Sequence, residues 1–240
     1  MKTTITIIIL GILTGKFCAA QNQQVVANGT SEYKGVQTGG LLLLSQSETA
    51  GTNSADINGN PFWNEDWKTA IVYTSDQAML VQKVKLNLYT NEVWYTSPDN
   101  VVMIAKKGAV KGITFFKGAD TTQVLANFVY LKNGDEDNRF YQFMNAGKAQ
   151  LLKLNTVTVN KALFDPFTGK AEQNYAAQTG YYLYYNKQLT LLKGNNKETM
   201  LSTLQPGDAA KQWLEKNKNK FKSEPDMLLF LSYFNTQSDK

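Results

Sequence analysis

From residue 61 to residue 192 the chain is a succession of short runs of β-branched and aromatic residues, each closed after a few positions by turn residues. That texture constrains the fold more than any other feature, because it leaves no room for long helices and asks for hairpin-linked strands. Val84, Leu86 and Leu88 alternate with Lys83, Lys85 and Asn87, the period of two that separates the faces of a strand. Thr90 and Asn91 turn this run into residues 92–95. The runs 101–105, 113–116 and 128–131 follow, then an acidic turn at 133–138 and a run at 139–144. Residues 149–159 read as a long strand, 164–169 as a loop, 181–185 as a tyrosine-rich strand, and Asn186-Lys187 as the turn into 188–192.

The texture changes at the C-terminus. Asp208, after Pro206-Gly207, reads as the N-cap of a helix through Trp213 and Leu214, and residues 223–226 resemble a capping box with Pro225 in the first turn. Met227, Leu228, Phe230, Leu231 and Phe234 then recur at helical spacing. The expected architecture is α+β, mainly β: an antiparallel meander forming a curved sheet or a partly closed barrel or sandwich, with two C-terminal helices within about 198–236 packed on it.

Residues 1–20 have the order of a cleavable secretory signal: Lys2, an apolar run over 5–13 that is short against the ~20 residues of a membrane span, and small residues Ala19-Ala20 before Gln21. Cleavage near Ala20 gives a soluble product in the periplasm or outside the cell. The alternative is acylation of Cys18 as a lipid anchor, which Lys16 and Phe17 beside it do not favour. Residues 21–60 are rich in Gln, Asn, Ser, Thr and Gly, with one apolar island at 41–44 and a formal glycosylation acceptor at Asn28, and read as a polar N-terminal segment. Residues 61–240 then form one domain, with no transmembrane span.

Absences narrow the chemistry. The chain has no histidine, and its one cysteine lies in the leader. Ser-His-Asp and Cys-His catalysis, thiolate zinc sites, histidine metal ligation and disulfides are thereby excluded from the exported domain. No cofactor or metal is expected. Of 25 basic side chains only Arg139 is arginine, and 20 acidic ones oppose them, so nucleic acid is not an expected partner.

The stretches 60–67, 84–95, 140–148, 181–192 and 218–235 together resemble a group of uncharacterised exported proteins of Gram-negative bacteria. The resemblance covers most of the exported chain and implies an envelope location and a β-rich domain with C-terminal helices. It carries no activity and no functional residues.

Four local features invite a functional reading. Glu65-Asp66 between Trp63 and Trp67 has the composition of a glycan-active carboxylate site, but adjacent residues on extended backbone point to opposite faces. Asp135, Glu136 and Asp137, with Asn133 and Asn138, offer oxygen ligands for calcium, yet Gly134 is misplaced for an EF-hand and a hairpin turn explains them. Tyr181, Tyr182, Tyr184 and Tyr185, with Tyr175 nearby, place two tyrosines on each strand face. The lysines of 211–222 suit anionic lipid or polysaccharide, or simply a solvated helix end. The reading that follows is a non-catalytic envelope domain binding an amphipathic small molecule, a glycan or an envelope protein through Trp63, Trp67, Trp94, Tyr182 and Tyr184. A histidine-free carboxylate enzyme acting on glycans and a purely structural protein are the alternatives.

Overall fold

The computed structural model describes residues 45–46, 57–118, 121–134, 136–160, 163–165, 169–193 and 196–237. The expected leader with Cys18, the Asn28 acceptor, the island at 41–44 and Asp135 lie outside the described residues. Among the described residues the strands are β1 (Ser45–Gln46), β2 (Ile57–Asn58), β3 (Lys68–Tyr73), β4 (Ala78–Asn87), β5 (Glu92–Thr96), β6 (Val102–Ala105), β7 (Gly112–Phe116), β8 (Val124–Leu131), β9 (Arg139–Phe143), β10 (Ala149–Val159), β11 (Leu163–Asp165), β12 (Lys170–Tyr185) and β13 (Gln188–Leu192). Three helices follow: α1 (Asn196–Leu204), α2 (Asp208–Asn217) and α3 (Glu224–Thr236).

The strands make one large open sheet in the order β1-β6-β5-β4-β3-β7-β8-β9-β10-β12-β11, with β13 and β2 also pairing β12. All pairings are antiparallel except β2 with β12. The fold is therefore mainly β, curved and unclosed, as expected, with two differences. The first four long strands run as a meander, but β7 returns to pair β3 rather than β6. The helices number three, since Met200 and Leu204 bury one side of α1 as well.

One face of the sheet carries both main cores. Over the β3–β8 half the sheet curls around Val84, Leu86, Tyr95, Ile113, Phe115 and Phe128, all essentially without solvent exposure. Asn91, in the left-handed region at φ 59, pins the curl: its Nδ2 donates to Asn138 O at 2.9 Å and its Oδ1 accepts from Phe140 N at 3.3 Å. The β4–β5 turn is thus tied to the start of β9. Asn87, on the strand face it shares with Lys85 as the alternation indicates, is buried, because its Oδ1 accepts from the backbone of Tyr89 and Thr90 and forms that turn.

Over the β10–β13 half the same face is covered by helices, with Leu151 and Leu183 packed against Met200, Leu214, Phe221, Phe230 and Leu231. Between the two cores the register lines up Gln142 with Lys153 and Lys153 with Tyr181. Glu224 of α3 closes this polar seam, accepting from Tyr181 Oη at 2.8 Å and pairing with Lys153 Nζ at 3.3 Å.

α3 starts as its sequence suggests: Ser223 Oγ accepts from Asp226 N, and Pro225 stands in the first turn. Asp226 reaches back to Lys222 N instead of completing a box with Ser223. α2 differs from expectation. Gly207 is its N-cap, extended and with no side-chain cap, and Asp208 is the first helical residue, where the positive helix end favours its charge. The far end of α3 is fastened by Asn235, whose Nδ2 donates to Ala146 O and Ala149 O at 3.0 and 2.9 Å and whose Oδ1 accepts from Ala149 N at 2.9 Å. Gly147, at φ 120, makes room for that amide.

Candidate functional site

The five aromatic residues singled out by sequence fall in three places. Residues 61–63 run beside the end of β4, with Trp63 N donating to Leu86 O and Leu88 N to Pro61 O, both at 2.9 Å or less. Alternation sends the Trp63 ring into the curled core, stacked on Phe115 and edge-on to Phe128, each at 5.1 Å. Phe62 goes to the opposite, outer face. There it meets Trp94 edge-on at 5.0 Å, and Lys85 Nζ lies 4.9 Å from the Phe62 ring and 5.2 Å from the Trp67 ring. Trp67 and Trp94 therefore share a half-buried aromatic patch whose cation is the protein's own lysine. Trp94 Nε1 donates to Glu92 at 3.3 Å.

Tyr182 and Tyr184 lie elsewhere on the outer face, on the side of β12 opposite Tyr181 and Tyr185. Tyr182 is buried, its ring edge-on to Tyr141 at 5.1 Å, over Val129 and Leu152. Burial pushes the phenols of both above the ordinary tyrosine range, with the neighbouring Tyr182 and the Glu136 charge adding to the shift at Tyr141. Among the described residues the buried Tyr141 hydroxyl finds no hydrogen-bond partner of good geometry. Burial, then the bond to Glu224, likewise raises Tyr181 on the other face.

Tyr184 is half-buried and faces a groove of ≈ 450 Å³ between the β8–β9 turn and the β12–β13 hairpin. Leu131 and Leu189 supply its apolar part. Asn133, Gln188 and Thr190, with Lys132 and Lys187, supply polar groups. Sequence reasoning singled out Tyr184, and Asn133 only within the calcium reading, but none of the other partners. Residues 131–134 and 187–190 are far apart in the chain, and the folded sheet brings them to one groove.

The carboxylates of the first candidate are exposed: Asp66 pairs with Lys68 at 3.2 Å, and Glu65 lies in the same turn. The acidic turn forms an internal bond from Asn133 Nδ2 to Glu136 at 3.2 Å. Among the described residues there is no group of three or more His, Cys, Asp or Glu side chains placed to hold a metal ion. Among them, too, no helix is long and apolar enough to cross a membrane. Comparison with protein-family models, with curated proteins and with solved structures gives no match.

Proposed function

We propose that the chain is an exported envelope protein whose β domain binds a glycan at the Tyr184 groove without transforming it. The order of residues 1–20 supports export. The observation that carries the binding reading is the groove itself: a tyrosine ring and two leucines beside Asn133, Gln188 and Thr190. A sugar ring has an apolar C–H face and a polar rim. An aromatic ring takes the first and amide or hydroxyl groups take the second. The volume lies within the ~300–1,000 Å³ of small-molecule sites.

The test is calorimetric titration of the purified protein with neutral and acidic oligosaccharides of four to six sugars. At least one should bind, and Tyr184→Ala and Gln188→Ala should each weaken it about ten-fold, a change of ~1.4 kcal/mol. A blank panel, or binding indifferent to both substitutions, refutes the assignment.

A further inference from the structure

A second groove, of ≈ 420 Å³, lies where α1, α2 and the loop after α2 meet. Its exposed lining is mainly apolar, with Leu201 and the buried Leu214 as floor. Around it stand Lys197, Lys211, Lys218 and Lys220 against one carboxylate, Glu215. Lys211 is already paired with Asp208 at 3.1 Å. Among the described residues the other three lysines form no ion pair.

Helix stability accounts for part of this charge. Lys216 and Lys218 stand at the C-terminal end of α2, where a cation is favoured. Lys197 stands in the first turn of α1, where the exposed N–H groups disfavour a cation and favour an anion. Lys220 caps nothing. The loop that carries Lys218 and Lys220 is also fixed in place: both Lys218 and Phe221 are in the left-handed region, at φ 49 and 54. Buried Asn219 holds the loop, accepting from Phe221 N at 3.0 Å and donating to Asp226 O at 2.7 Å. A cationic rim on a preset backbone loses little order when it takes a ligand.

We propose that this groove binds a single-chain anionic amphiphile, a fatty-acid-type carboxylate, with the head group among Lys197, Lys218 and Lys220 and the chain along Leu201 and Leu214. A small inorganic anion would leave the apolar floor unused. A bilayer surface would meet a concavity it cannot fill. The single arginine of the chain argues against a phosphate-reading site, for which the guanidinium fork is the better partner.

Calorimetric titration of the purified protein with dodecanoate tests the proposal. Saturable binding is expected, weakening as salt rises past ~0.1 M, where the screening length falls to about 10 Å. The double variant Lys197→Glu/Lys220→Glu, at two exposed positions, should weaken it at least ten-fold, about 1.4 kcal/mol. Lys117→Glu, remote in the fold, should leave it unchanged. Leu201→Asn should also weaken it, which a purely electrostatic contact would not show. Unchanged melting temperatures establish that the variants are folded. Equal binding of dodecyltrimethylammonium, competition by inorganic phosphate alone, or adhesion to phosphatidylglycerol vesicles without saturable dodecanoate binding would each overturn it.

Discussion

Replacing Gly147 by alanine tests how α3 is fastened to the sheet. A Cβ at this position would come within 2.9 Å of Asn235 Cβ and nearer still to its amide group. That amide cannot swing aside without losing its bonds to Ala146 O, Ala149 O and Ala149 N. Ala149 is fully buried, so its freed N–H would find no water. The positive φ costs an alanine ~1–2 kcal/mol, and the lost bonds with a stranded donor cost ~2–3 kcal/mol, so Gly147→Ala should destabilise by ~3–5 kcal/mol. Asn235→Ala alone loses only the bonds, ~2–3 kcal/mol. In the double variant the bonds are already gone and only the backbone cost is added. Urea unfolding followed by tryptophan fluorescence and far-UV circular dichroism should therefore give a coupling of ~2–3 kcal/mol, where independent sites add to within ~0.5 kcal/mol. Additive costs, or a Gly147→Ala loss below about 1 kcal/mol, would refute the fastening.

Two further outcomes are expected. Trp63→Ala opens a space between Phe115 and Phe128 and should cost about 3 kcal/mol, whereas Trp67→Ala, stripped mainly of its contact with Lys85, should cost about 1 kcal/mol or less; thermal unfolding with equal losses would show that Trp63 is not the core residue. The raised phenols make stability fall in alkali: the unfolded chain gives up tyrosine protons near ~10 while Tyr141, Tyr181 and Tyr182 keep theirs when folded, so stability complete below that pH is lost as pH climbs through the folded values. Tyr141→Phe removes a buried hydroxyl that lacks a well-formed bond and should be neutral or stabilising at pH 7, with a shallower alkaline decline in urea midpoints; a clear loss of stability at pH 7 would contradict that burial.

Runs of β-branched and aromatic residues closed by turn residues were legible in the sequence, including β7, which is buried at every position. β10 and β13 occupy the residues that their patterns mark, and Asn186 and Lys187 turn in the left-handed region between strands as expected. β3 escaped notice because Thr69, Ala70, Ile71 and Val72 are all buried, which erases the alternation that period-two reading relies on. β12 begins eleven residues before its tyrosines, through Ala, Gln and Asn of weak strand preference, because β10 pairs with it as far as Val159 and Tyr175. α1 follows Lys193 and has only Met200 and Leu204 as buried anchors, too little for a helical period. Among candidate residues the tryptophans were visible but their faces were not, since the run 61–63 decides that Trp63 turns inward and Phe62 outward. Both grooves depend on neighbours distant in sequence, and no local pattern announces such a meeting.

On the helix-covered face the polar seam of Gln142, Lys153, Tyr181 and Glu224 separates the two cores, while on the outer face Tyr141 and Tyr182 over Val129 and Leu152 join the strands across it. An apolar seam on the inner face would tie the helices to the curled core. A seam of groups that water can serve as well should let α1–α3 detach first, as a subglobal opening that leaves the strands in place. Amide exchange should then show one threshold for α1–α3 and a higher one for the strands around Phe115, although the same sheet runs through both.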